Sequence, residues 1–237
     1  MTNIICYEGL DRAGKTTGIN SMFSLLKRHG VQSVEKISSL GPFDVEQLGR
    51  KFLRTNMLDT VGEYKTEVLY NYFLMVTYYK LGLIKDAIER NVEYLLVDRT
   101  HLSGYIYNGI QFQHLLYNIT NYPLDKVATT LVFMDIGPDV SYSRTLEEEN
   151  RKLEDYSEIS HIEALYYGFN NTINGIKNLL NNNAVHAEGF NRLIETPFNP
   201  TLDYITDELP TKVLECISND IKYYCRDDKE GKIDIPE

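Results

Sequence analysis

What this chain of 237 residues has little of narrows its class before any motif is read. No apolar run approaches the ~20 residues that a membrane-spanning helix needs. The opening Met1-Thr2-Asn3 leads directly into a strand-like segment and does not have the layout of a secretory signal. A membrane partner is therefore not expected, and the chain reads as cytosolic, a cytoplasmic protein. Cysteine is scarce: Cys6, Cys216 and Cys225 are an odd number without zinc-type spacing, and Cys6 reads as a small core residue. Cations are outnumbered, 24 Lys and Arg against 34 Asp and Glu, for a formal net charge of −10. A broad nucleic-acid face needs clustered cations to neutralise a run of phosphates, so no nucleic acid is expected as a partner. A small phosphorylated ligand needs only a few placed arginines and stays open. Internal repeats and Pro/Gly-rich linkers are also absent.

What is present is an ordinary globular composition, 43% hydrophobic and 24% charged, in a chain long enough for one large α/β core. Apolar patterning alternates strand and helix throughout. Strands are predicted at Ile4–Tyr7, Val34–Ser38, Glu93–Asp98, Thr130–Asp135 and Arg192–Thr196. Helices are predicted after residue 16, over Leu48–Leu53, Thr66–Tyr79, Lys85–Arg90 and Glu163–Leu180, and last over Asp203–Tyr223. A turn falls at Gly41-Pro42. Strands separated by helices of this length imply a parallel sheet of about five strands, wrapped by helices on both faces. A single domain over 1–225 with a charged tail at 226–237 is the expected organisation.

Residues 9–16 read Gly-Leu-Asp-Arg-Ala-Gly-Lys-Thr, a complete G-x-x-x-x-G-K-[ST] loop between the first strand and a helix carrying Ile19, Met22, Phe23, Leu25 and Leu26. Gly9 and Gly14 let the backbone curl so that its N–H groups converge on phosphate oxygens at the positive end of the helix. Lys15 would reach the β- and γ-phosphates, and the Thr16 hydroxyl would hold Mg²⁺. Gly9, Asp11, Arg12, Ala13, Gly14, Lys15, Thr16 and Thr17 are thus the candidate ATP-binding set. The fold expected is that of the P-loop NTPases.

A second segment, Asp98-Arg99-Thr100-His101-Leu102-Ser103-Gly104, ends a strand that should lie beside the first, at the carboxyl edge where open α/β sheets bind ligands. Asp98 there suits a contact to Mg²⁺ or to Thr16, and Arg99 can set a planar fork on a second phosphate. No Asn-Lys-x-Asp segment exists to read guanine, which sets GTPases aside.

With their order and spacing, these two segments resemble the thymidylate kinase family of nucleoside monophosphate kinases, from Ile4 to about Ile221. The resemblance implies a mobile lid over about 144–157, and transfer of the γ-phosphoryl of Mg-ATP to a deoxynucleoside 5′-monophosphate. By the same resemblance Asp11 would bond the acceptor's 3′-hydroxyl, and Arg12 would act as an arginine finger from within the loop. Lys15 and Arg99 complete the catalytic set. Phe73 would stack on the acceptor base; Thr77, Ser103, Gly104 and Tyr156 would line the acceptor site; Arg144 would lie near adenine. A homodimer through sheet-flanking helices is implied, with the helix Tyr70–Tyr79 contributing.

The chain departs from the family pattern where the acceptor is read. Thr77 stands where an arginine usually bonds the thymine carbonyl, which points to acceptance of several deoxynucleotides. Near Gly41-Pro42-Phe43-Asp44 the usual acceptor-phosphate arginine is missing, with Arg50, Lys51 and Arg54 as candidate replacements. Two readings stand for the stripe Leu69, Phe73 and Val76, a base platform or a plain core face. Two also stand for the acidic segment Glu147 to Asp155, lid or solvated helix; Arg151 is the best lid cation, with Lys152 beside it. Glu8, next to Gly9, leaves open a deoxynucleoside kinase that uses it as base on a 5′-hydroxyl. The missing arginines leave open a nucleotide-binding protein without turnover.

Overall fold

A computed structural model of the chain describes residues 2–38, 65–108, 127–147, 159–182 and 189–225. Strand β1 (Thr2–Glu8) runs into the glycine loop and α1 (Lys15–Arg28), then β2 (Val34–Ile37). Helix α2 (Lys65–Glu89) precedes β3 (Tyr94–Asp98) and the short α3 (His101–Asn108). After these come β4 (Val127–Phe133), α4 (Pro138–Glu147), α5 (Ile159–Asn181) and β5 (Arg192–Glu195). A π-helical turn (Tyr204–Glu208) feeds α6 (Leu209–Ser218), and β6 (Tyr223–Cys225) closes the series.

Among the described residues the strands form one parallel sheet in the order β2-β3-β1-β4-β5-β6. Its central strands are apolar runs rather than alternating patterns: Ile4 to Tyr7, Leu95 to Val97 and Leu131 to Phe133 are all buried. That is what a parallel sheet covered on both faces requires. One layer is α1 with α6 and the π-helical turn; α1 buries Ile19, Met22 and Leu26 at helical spacing. In the other, α2 packs on α3, and α5 packs on both α3 and α4. Helix α5 buries Ile162, Leu165, Phe169, Ile173, Ile176 and Leu180, each contributing roughly 1.5–3 kcal/mol by leaving water.

This topology places the site. The chain leaves β1 toward β2 and β3 on one side, then crosses to β4, β5 and β6 on the other. The carboxyl ends of β1 and its neighbours therefore frame a crevice at the switch point, where such sheets bind ligands. Tyr7 and Asp98 are register partners, which brings the glycine loop and the Asp98-Arg99 segment to the same edge.

Among the described residues the sheet has six strands, where about five were expected. The helix expected over Asp203–Tyr223 ends at Ser218, because Asp220 takes a left-handed backbone (φ 52°) that stops the helix. The following Tyr223 and Tyr224 are buried and pair with β5. The two helices expected over Thr66–Tyr79 and Lys85–Arg90 are one continuous α2. Gly82 lies within it, where nothing crowds its Cβ position, and the apolar spacing carries on through Leu83 and Ile84. Strand β4 begins and ends two to three residues earlier than expected. The predicted helix Leu48–Leu53, the turn at Gly41-Pro42, and the tail 226–237 lie outside the described residues. Of the expected lid, residues 144–147 form the last turn of α4 and the remainder lies outside.

Candidate phosphoryl-transfer site

The glycine loop is built by two left-handed or extended-left turns that only particular residues tolerate. Gly9 has φ +135°, and a Cβ there would lie 2.5 Å from the Met134 carbonyl oxygen, so both backbone and space demand glycine. Gly14 has φ +88°, with the Ile205 side chain 2.8 Å from where its Cβ would be. Arg12, between them, holds φ 64°. Gly14 is the N-cap of α1 and offers no side chain to the first N–H groups, and no acidic residue occupies the first turn. Those donors are left for an anion, at the positive end of the helix.

Lys15 is buried and donates to the loop's own carbonyls, Gly9 O at 3.1 Å and Leu10 O at 2.5 Å. Burial and the nearby Arg99 charge push its ammonium down to about 8, against the pull of Asp11, Asp98 and Glu8. The loop's outer side is held by α4: Ser141 Oγ donates to Asp11 O at 2.8 Å and Arg144 Nη1 to Arg12 O at 2.8 Å. Arg144 is thereby brought to the loop backbone; Ser141 carried no sequence signal. Ala13 is buried and Thr17 half-buried in the same turn.

Across the crevice, Arg99 sits with φ 61° and its guanidinium is spread over four acceptors and a ring. Nη1 donates to Ser103 Oγ at 2.9 Å and to Gly9 O at 3.4 Å; Nη2 donates to Asp11 Oδ1 and to Tyr107 OH at 3.4 Å. The guanidinium carbon lies 4.8 Å from the Tyr107 ring centre. Burial disfavours the Arg99 charge, but Tyr107 and the carboxylates of Asp11, Glu8 and Asp98 outweigh it and keep the side chain cationic. Asp11 and Arg99, both expected in the acceptor site, therefore face each other across the loop mouth.

Glu8 is fully buried and its carboxylate is filled. Oε1 accepts from Thr100 N (2.5 Å), Thr100 Oγ1 (2.6 Å) and Ser103 N (3.3 Å), and Oε2 accepts from Ser103 Oγ (2.6 Å). Thr100 in turn accepts from Leu102 N at 3.2 Å, so Glu8 and Thr100 together take up the N–H groups of Leu102 and Ser103 in the first turn of α3. This occupancy tells against Glu8 as a general base, because both carboxylate oxygens already hold the start of α3, three bonds at Oε1 and one at Oε2. Ser103 is likewise committed, donating to Glu8 and accepting from Arg99, whose guanidinium it helps to orient. Gly104 is buried behind it.

Lys80 was not singled out by the sequence, although it follows Phe73, Val76 and Thr77 at helical spacing. It reaches from α2 under β3 and donates to Asp98 O (2.7 Å) and Arg99 O (3.0 Å). Burial pushes its ammonium down to about 8, opposed by Asp98 and Glu8. Thr77 is buried with its hydroxyl donating to Phe73 O at 2.8 Å, so that hydroxyl is spent inside the helix and is not presented to a base. Phe73 is half-buried and packs edge-on against Tyr72. Tyr156, Arg50, Lys51, Arg54, Arg151 and Lys152 lie outside the described residues.

Mg²⁺ and the residues at the loop are a good match. Thr16 is exposed and its hydroxyl donates to Asp98 Oδ2 at 3.4 Å, while the other carboxylate oxygen, Oδ1, is buried without a hydrogen-bond partner among the described residues. A buried, unspent carboxylate oxygen beside a hydroxyl suits a hard cation with oxygen ligands. No cluster of three metal-ligating side chains occurs among the described residues. No helix among them is long and apolar enough to cross a membrane.

Similarity to known proteins agrees with this geometry. A family model described as thymidylate kinase matches residues 7–188. The thymidylate kinase of Buchnera aphidicola subsp. Schizaphis graminum is 25% identical over 147 residues, covering 60% of this chain and 68% of that protein. That of Vibrio campbellii is 30% identical over 147 residues, covering 60% and 69%. The crystal structure of thymidylate kinase from Ehrlichia chaffeensis superposes with a TM-score of 0.51 at 17% identity, covering 90% of this chain and 98% of that one, which establishes likeness of fold.

Proposed function

The chain belongs to the thymidylate kinase family and is a phosphotransferase of the nucleoside monophosphate kinase type, and from that premise we propose that it transfers the γ-phosphoryl of Mg-ATP to a deoxynucleoside 5′-monophosphate. Thymidylate is the first expected acceptor, and several deoxynucleotides are accepted. The observation that carries this reading is the pairing of Arg99 with Asp11 across the glycine loop. A cationic fork facing the glycine loop supports the reading, because it could grip an acceptor that already bears phosphate.

Phosphoryl transfer asks for alignment and charge stabilisation, with little covalent work for the protein. The N–H groups of the loop and of the first turn of α1 bind the donor phosphates. Lys15 exchanges its loop carbonyls for phosphate oxygens, and Arg12 stabilises the charge spread at the transferring group. Thr16 and Asp98 would hold Mg²⁺, whose charge offsets that of the phosphates. Arg99, aimed by Ser103, Tyr107 and Asp11, receives the acceptor phosphate, and Asp11 remains within reach of the acceptor sugar. Phe73 provides the base platform, with Ser103 and Gly104 shaping the floor and Tyr156 contributing from the lid. Closure of residues 144–157 would exclude water, without which ATP would be hydrolysed. Because Thr77 offers no free donor, the base is read more loosely than an arginine would read it.

The filled carboxylate of Glu8 weighs against the nucleoside kinase alternative, and the combined presence of Lys15, Arg12 and Arg99 weighs against a protein without turnover. The same reading takes 1–225 as one domain, supported by strands from both ends of that range entering one sheet. It takes the protein to be cytoplasmic, which fits three free cysteines. It also takes it to be a homodimer, supported by Met75, Tyr78 and Tyr79, large side chains exposed along one stretch of α2. The test is purified protein with Mg-ATP and each common deoxynucleoside monophosphate, following ADP. Release of ADP with none of them above the rate with a nucleoside would refute it.

A further inference from the structure

Arg99 does its proposed work from an unusual backbone. Its φ of 61° is one that an arginine adopts only when its surroundings hold it there. Its N–H donates to Tyr7 O at 3.0 Å, which anchors one side to β1. The other side, the carbonyls of Asp98 and Arg99, lies beyond the last β2–β3 register pair, Ile37 with Val97, and has no strand neighbour there among the described residues. The group that takes both carbonyls is Lys80, buried in the interior of α2, at 2.7 and 3.0 Å. A buried ammonium is costly, and an apolar side chain of the same length would pack there without that cost. Phe73 and Thr77 lie seven and three residues earlier, on the same stripe of the helix.

We propose that Lys80 is a positioning residue for the acceptor: by clamping the carbonyls of Asp98 and Arg99 it fixes the left-handed turn that aims the Arg99 guanidinium, and it bolts the helix carrying the acceptor-base platform to the arm that grips the acceptor phosphate. The inference rests on the monophosphate kinase reading. The residue acts through Arg99 and touches no substrate. It makes the acceptor half of the crevice one rigid unit, in which seating of the base on α2 and capture of the phosphate by Arg99 share a single register.

The test compares wild type, Lys80→Met, Lys80→Gln, Arg99→Ala and the double variant Lys80→Met/Arg99→Ala, with thermal melts to verify folding. Wild-type turnover of a deoxynucleoside monophosphate comes first; its absence would refute the functional reading rather than the role of Lys80. Given that turnover, Lys80→Met should lower kcat/KM for the monophosphate by about 10²-fold, the scale of a misplaced binding group. The loss should include a raised KM for the acceptor, with KM for ATP unchanged. Lys80→Gln keeps an N–H donor for the carbonyls and should recover part of the loss, which also covers the case of Lys80→Met not folding. In the Arg99→Ala background, Lys80→Met should cost nothing further, since both changes remove one function. A purely structural lysine predicts otherwise: a lower melting temperature and fewer active molecules, so kcat falls with both KM values unchanged. That pattern, or losses that add in the double variant, would overturn the proposal.

Discussion

Replacing Glu8 by Gln separates two chemistries with one change. As a positioning group, Glu8 accepts four hydrogen bonds, three at Oε1 and one at Oε2, entirely out of water. A glutamine with its carbonyl at the Oε1 position keeps three of these without charge assistance. Its amide then meets Ser103 Oγ, which already accepts from Arg99 Nη1, so the serine must turn its proton elsewhere. One charge-assisted bond lost and three weakened amount to about 2–3 kcal/mol, with no solvent screening to soften it at a fully buried group. For a chain of this size that is a fall in Tm of roughly 5–10 °C. Turnover per folded molecule, measured well below the melt, should stay within about tenfold of wild type, the equivalent of ~1.4 kcal/mol in barrier. A general base would give the opposite pattern: a loss of about 10²–10⁴-fold in kcat with the melt hardly moved. Coupled ADP assays with a monophosphate and with its nucleoside, beside calorimetric melts, read both quantities. A dead but fully stable variant would refute the reasoning.

Other perturbations address single parts. Lys15→Ala should abolish transfer and leave the fold intact; a folded variant with near-normal turnover would remove the loop from catalysis. In the unliganded protein Lys15 is pushed down to about 8, and phosphate binding should raise it again. ATP binding above pH 8 should therefore take up protons, visible as a dependence of calorimetric heat on the ionisation heat of the buffer; a heat independent of buffer would contradict this. Arg12→Ala should lower kcat by roughly 10³-fold, the scale of an arginine finger, and an unchanged kcat would pass that role to Arg151 or Lys152. Arg99→Lys should not restore the acceptor site, because a point charge cannot replace a fork; kcat/KM for the monophosphate should fall by about 1.5–3 kcal/mol with ATP affinity kept. Full activity in that variant would show that Arg99 does not grip phosphate.

The sequence by itself determined the parts whose physics is local. The pattern of residues 9–16 between a strand and an amphipathic helix dictates a phosphate loop, because glycine placement and helix polarity are set within one turn. Asp98 at the end of an apolar strand could be assigned to the same edge, since parallel strands wound by helices put their carboxyl ends together. The tertiary structure alone decided which polar groups meet. Glu8 and Thr100 are 92 residues apart, Arg99 and Asp11 88, and Arg144 and Arg12 132. Whether a carboxylate is a base or a filled anchor depends on such neighbours and not on its position beside a glycine. Thr77 was legible as a missing arginine, but its hydroxyl turning back to Phe73 depends on its helix rotamer. Lys80 falls between the two helices expected from the sequence and carried no signal there; its role depends on the carbonyls of Asp98 and Arg99 meeting it. The sixth strand went unread, with Tyr223 expected at the end of the last helix, because an apolar aromatic residue suits either pattern; the left-handed turn at Asp220 and pairing with β5 decide it.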